Sequence, residues 1–262
     1  MFQCREALIK MISRQGRLIF EMLLRYNVLS DGAYCIVIKP LYMLADSQLL
    51  FWKDGSRLFL ARIREQLDSL NPTAAYIGAS NGDSPEFYSL FQAAMAGIDV
   101  PACRMIPSNP SEEDRKFLTN ADLVLLAGGN VEQGWNVFEK NGTKELIAQK
   151  RYGGSVLVGV SAGAVQLGQA TLLEAATMKK LSLFQFAPFY VGAHDEESEW
   201  WDLRALVNLA GDGARGIGIP AGGGLIYGPD GSLEPIRKDL TEFCRQGDRM
   251  IENLLLPATA GQ

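Results

Sequence analysis

Apolar residues along this chain recur in two rhythms. Short unbroken runs, rich in Leu, Val and Ile, have the length and composition of buried strands: Leu41–Leu44, Ala74–Ala79, Cys103–Ile106, Asp122–Ala127 and Val156–Val160. Segments with a helical period lie between them. Phe59–Leu70 is one. A second starts at the cap Ser84, with Pro85 in its first turn, and runs to about Ala96. A third, Ser111–Asn120, opens on a capping-box pattern, and a fourth covers about Lys144–Arg151. Strands that alternate with helices predict an α/β three-layer sandwich with a mostly parallel central sheet. Ligands of such sheets gather at the carboxyl ends of the strands. The turns Ser80–Ser84, Gly128–Asn130 and Gly159–Gly163 are therefore expected along one edge.

The remaining third of the chain reads differently. Leu181–Val191 is apolar and aromatic, Asp202–Leu209 looks helical, and Gly216–Ile219 is a strand. Gly224–Tyr227 and Leu233–Ile236 form a hairpin around Gly228-Pro229-Asp230-Gly231. Leu240–Leu256 is predicted as a helix. At the other end, residues 1–38 interleave Arg5, Lys10, Arg14, Arg17 and Arg25 with apolar positions at helical spacing. This stretch is expected to be a helical extension, packed on the domain or forming a homodimer contact, and residues 39–262 the α/β domain.

Composition removes several classes of function. With 262 residues, 47% of them hydrophobic, the chain can bury a full core. A net charge of −5 gives no electrostatic footprint for nucleic acid or an anionic membrane surface. No apolar run reaches the length of a membrane span. Four scattered cysteines and a single histidine make no metal cluster, no cofactor is called for, and reduced thiols suit a cytoplasmic protein.

The candidate chemistry sits at Gly159-Val160-Ser161-Ala162-Gly163. A G-x-S-x-G pattern between a buried strand and a helix is the context of a nucleophile elbow. Small residues allow the sharp turn, the Ser161 hydroxyl is held out at the strand end, and the N–H of Ala162 faces a developing oxyanion. The plain alternative is a helix start that Ser161 merely caps. A serine nucleophile needs a base, and His194, 33 residues on, is the one histidine available. Glu174 is the only acid between the two, whereas Asp195, Glu196 and Glu197 follow the histidine directly on what reads as a solvated loop.

Leu125-Leu126-Ala127-Gly128-Gly129-Asn130, then Leu157-Val158-Gly159-Val160-Ser161-Ala162-Gly163-Ala164, then the histidine, then Gly216-Ile217-Gly218-Ile219-Pro220-Ala221-Gly222 resemble the S51 serine peptidases, the aspartyl dipeptidases and cyanophycinases. The resemblance runs from about residue 40 to about 240. It implies the class I glutamine amidotransferase-like (flavodoxin-like) architecture, with Ser161 as nucleophile and His194 as base. The N–H groups of Gly129 and Ala162, flanked by Gly128 and Asn130, would form the oxyanion hole. The implied substrate is a small peptide cleaved next to an acidic residue, which would call for a basic group; Arg104, Arg204 and Arg215 are candidates. Family members differ over the third catalytic residue, and some use an acid between serine and histidine, the place Glu174 holds. Many carry a glutamate in the turn where this chain has Pro220-Ala221-Gly222, and Ala221 cannot orient a histidine. A catalytically impaired relative that serves as a binding or regulatory module is therefore the competing reading. A glutamine amidotransferase is disfavoured, because those enzymes place a cysteine at the elbow. A generic α/β-hydrolase esterase fits the Gly-Gly-Asn turn and the later strands less well.

Overall fold

The computed structural model describes residues 38–174 and 177–258. The helix expected in residues 1–38 falls almost wholly outside them. The chain begins with β1 (Leu41–Leu44), the small hairpin β2 (Lys53–Asp54) and β3 (Arg57–Leu58), and α1 (Ala61–Arg64). There follow β4 (Thr73–Ile77), α2 (Pro85–Ala96), β5 (Ala102–Ile106), α3 (Glu112–Asn120), β6 (Leu123–Leu126), α4 (Val131–Asn141) and α5 (Thr143–Tyr152). Next come β7 (Val156–Val160), α6 (Ala162–Leu167), β8 (Ala170–Glu174), β9 (Lys179–Ser182), β10 (Tyr190–Ala193) and α7 (Trp201–Ala210). The last elements are β11 (Arg215–Ile219), β12 (Gly224–Tyr227), β13 (Leu233–Ile236), β14 (Leu240–Gln246) and β15 (Arg249–Leu255).

Seven strands form the central sheet in the order β13-β12-β1-β7-β6-β4-β5. The five from β1 to β5 run parallel, and β12 and β13 extend the sheet antiparallel. The three strands β1, β6 and β7 are buried at every position because both faces are covered, and their side chains alternate between two cores. Met43, Ile77, Leu126 and Leu157 pack with Trp135, Phe138 and Ile147 of α4 and α5. Leu44, Tyr76, Leu125 and Val158 pack with Phe59, Ile63, Phe91 and Met95 on the side of α1 and α2. Each fully buried side chain of this size contributes about 1.5–3 kcal/mol relative to exposure. The sandwich and its mostly parallel sheet agree with the strand pattern.

A second sheet, in the order β10-β11-β14-β15, was not foreseen. The expected C-terminal helix is in fact its antiparallel hairpin β14–β15, with Phe243 paired opposite Glu252. Two local features override helical propensity there. Gly247 takes φ 55° at the turn, and Phe243 is fully buried against Trp200, Leu203 and Val207. Helix α4 was also missed, although its cap is Asn130, whose Oδ1 accepts from the N–H of Gln133 at 2.8 Å. The helix predicted over Phe59–Leu70 is a single turn, Ala61–Arg64. No helix among the described residues is long and apolar enough to cross a membrane.

Candidate active site

Strand β7 ends in a backbone conformation that ordinary residues avoid. Ser161 has φ 50° and ψ −111°, outside the broad allowed regions, a strain of about 1–3 kcal/mol. Its neighbours enforce it. The Ser161 N–H donates to the Leu44 carbonyl at 2.8 Å, and the Ser161 carbonyl accepts from Val165 at 3.1 Å to start α6. The hydroxyl makes no cap bond to that helix, so the plain capping alternative does not hold. Both motif glycines are required by close backbone approach. A Cβ on Gly159 would lie 2.5 Å from the Gly163 carbonyl, and one on Gly163 would lie 2.1 Å from the carbonyl oxygen of Leu126 on β6.

His194 arrives from the other sheet. Strand β10 pairs in parallel with β11, Ala193 opposite Ile219, and the His194 N–H donates to the Ile219 carbonyl at 2.9 Å. With φ 45° at His194, the chain leaves the strand and brings the ring to the serine. Ser161 Oγ and His194 Nε2 are 2.7 Å apart. That is the distance at which a neutral ring accepts the hydroxyl proton.

The third loop at this edge follows β6. A Cβ on Gly128 would stand 3.3 Å from the Cβ of Ser161, and one on Gly129, at φ 130°, would collide with the Ser80 carbonyl at 2.1 Å. Among the described residues the N–H groups of Gly128, Gly129 and Ala162 have no intramolecular acceptor. Asn130 differs. Its N–H is bound to the Ser80 carbonyl at 2.7 Å and its side chain caps α4, so it serves the loop's shape. Beneath lies Gln166, fully buried, which donates to Ser80 Oγ and the Val131 carbonyl at 3.1 Å each and joins the loops after β4 and β6 to α6. Nothing in the sequence singled out Gln166; its position four residues after Ala162 on a short helix was the available signal.

Glu174 is not brought to the histidine by a hydrogen bond or ion pair. It ends β8, exposed, and its carboxylate accepts from Thr177 Oγ1 at 2.7 Å. The irregular β8–β9 hairpin, with Glu174 opposite Lys179, sets this position. Among the described residues no carboxylate is paired with the His194 ring. Glu196 instead accepts from the N–H of Ala221 at 3.0 Å.

Beside the serine lies a cavity of about 260 Å³. Gly128, Gly129, Ser161 and His194 line it, together with Asp46, Ser47 and Leu50, which follow β1. Tyr76, Asn81, Phe87, Leu90 and Phe91 belong to its lining as well. Burial raises the pKa of the Tyr76 phenol above its ordinary value, an effect opposed by the hydrogen bond it accepts from Asn81 at 2.9 Å. The three arginines proposed for an acidic substrate lie elsewhere. Arg104 is held by Asp114 at 3.1 Å, Arg204 by Glu252 at 3.4 Å, and Arg215 pairs with Glu242. None of the three lines the cavity.

The model of peptidase family S51 matches residues 44–223. A curated relative, the uncharacterized peptidase YgaJ of Bacillus subtilis (strain 168), is 24% identical over 139 residues. That match covers 50% of this chain and 60% of YgaJ. The crystal structure of a peptidase from an acI-B1 actinobacterium superposes with a TM-score of 0.63 at 16% identity, covering 86% of this chain and 96% of that one. A protein of Listeria monocytogenes EGD-e named for peptidase E gives a TM-score of 0.54 at 14% identity, covering 84% of this chain and 100% of that one. At these identities the structures speak for the fold.

Proposed function

The chain belongs to peptidase family S51, and from that premise we propose that it is a serine-type hydrolase of small peptides, with Ser161 as nucleophile and His194 as base. The observation that carries this reading is the 2.7 Å contact between Ser161 Oγ and His194 Nε2 at a strained elbow. Oγ attacks the scissile carbonyl carbon while its proton passes to Nε2, which requires the ring's own proton to reside on Nδ1. The carbonyl oxygen gains negative charge, and the unpartnered N–H groups of Gly129 and Ala162, with Gly128 beside them, are the donors for it. As the C–N bond breaks, the ring returns the proton to the leaving amine, and an ester to Ser161 remains. Water, deprotonated by the same ring, then releases the acid and regenerates the hydroxyl.

One observation favours a second reading. His194 has no carboxylate partner among the described residues, and loss of the orienting acid costs about 10⁴ in rate in a well-studied triad. On that reading the chain keeps the fold as a slow hydrolase or a binding module. Incubation with a fluorophosphonate probe, followed by mass spectrometry, distinguishes the two. The expected outcome is a label on Ser161 alone. Absence of label at a concentration that saturates a competent serine hydrolase would overturn the catalytic reading.

A further inference from the structure

The cavity beside Ser161 has an apolar side and, among the described residues, no Lys or Arg in its lining. Leu50, Phe91, Leu125 and Val160 are buried in its wall, and Phe87 and Leu90 of α2 stand at its mouth, 51% and 42% exposed. Two large apolar side chains left bare beside a nucleophile make a surface that gains from being covered. The acidic residue of the lining is Asp46. Its carboxylate accepts from the N–H of Gln48 at 2.8 Å and of Gly222 at 2.6 Å, and so stays fixed at the rim. Among the described residues no Lys or Arg contributes to the lining. Arg237, bound to Gln48 Oε1 and the Gly222 carbonyl at 3.4 Å each, lies outside it.

A substrate carboxylate in this cavity would lose water, meet hydrocarbon and face the charge of Asp46. An aliphatic or aromatic side chain would cover Phe87 and Leu90 at no such cost. We propose that this cavity is a specificity pocket for an uncharged apolar side chain, carried by the residue that supplies the scissile carbonyl, and that it selects against acidic ones. Gly128 and Gly129 line the same cavity as Phe87 and Leu90 of α2, so a carbonyl oxygen at their N–H groups leaves the adjoining side chain beside this apolar lining. The proposal rests on Ser161 being the nucleophile.

Aminoacyl p-nitroanilides of Leu, Phe, Asp and Lys test it through kcat/KM. Leu and Phe should exceed Asp by on the order of 10²-fold. Leu90→Arg, at an exposed position outside the catalytic groups, should lower the Leu-to-Asp ratio by roughly tenfold. Calorimetric binding of leucyl and aspartyl amides to Ser161→Ala reads the pocket without turnover, and the leucyl amide should bind more tightly. A preference for Asp in both measurements would overturn the proposal, above all if Arg237→Ala removed that preference, while leaving a labelled Ser161 untouched. If Ser161 were unlabelled and no substrate turned over, the catalytic reading would fail. Tighter binding of the leucyl amide to the unaltered protein would then still support an apolar pocket, and tighter binding of the aspartyl amide would remove it.

Discussion

Ser161 and His194 each leave a strand in left-handed backbone, at φ 50° and φ 45°, yet their surroundings differ in kind. The serine end is closed by main chain against main chain. Gly159 and Gly163 lie where any Cβ would meet backbone atoms at 2.1–2.5 Å, and Leu44 holds the Ser161 N–H. The histidine end is closed by side chains. Glycines at 192, 216 and 218 face Trp200, Leu203 and Val207, with Cβ contacts of 2.7–3.4 Å to atoms of those side chains. A peptide group cannot move without breaking its sheet, whereas a side chain can rotate or shift by a few tenths of an ångström. Ser161 is thus held by the rigid part of the molecule and His194 by the adjustable part.

The strongest test treats the two ends as one unit. Ser161→Ala should lower hydrolysis by on the order of 10⁴-fold or more, with an unchanged thermal midpoint, and His194→Ala by nearly as much. The double variant should be little worse than either, since both act on one proton transfer. Losses that multiply would show that the ends work separately. The same transfer sets the pH dependence. A protonated ring cannot accept the serine proton, so kcat/KM should fall on acidification and recover when the pH is restored.

The difference in rigidity predicts unequal responses to one added methyl group. Gly163→Ala drives a Cβ into the Leu126 carbonyl and should cost about 3 kcal/mol or more in a denaturation curve. Gly192→Ala meets the Trp200 and Leu203 side chains at 3.2 and 3.3 Å and should cost about 1 kcal/mol. Its larger effect should be on kcat, roughly threefold to tenfold, because the displaced strand carries His194. Equal stability losses at the two positions would show the histidine end to be no more adjustable than the serine end.

The smallest effect is expected at Glu174. Its carboxylate is exposed and engaged with Thr177, so Glu174→Gln should change hydrolysis by no more than about twofold. A loss of several powers of ten would mean that this residue reaches the ring during turnover and that the histidine end moves further than described.

Much of the serine end was legible because it is local. Five apolar strands, the capped helix α2, the capping box of α3 and the glycines around Ser161 each declare themselves within a few residues. The three loops at the carboxyl edge follow from parallel order alone. The histidine end was legible only by elimination, since the chain has one histidine to offer. Helix propensity over Leu240–Leu256 gave way to pairing with β11 and burial of Phe243, contacts that no local window contains. Glu174 was chosen by its place in the chain between serine and histidine, but proximity in sequence does not set where a hairpin points its ends. The sequence by itself determined the elbow and the sandwich around it, because short-range sterics and hydrophobic alternation act between near neighbours. The tertiary structure alone decided the path that delivers His194 and the apolar cavity, in which no arginine lies among the described residues, because side chains from β4, α2, β6 and β7 and from the segments after β1 and β10 meet there only after the sheets have formed.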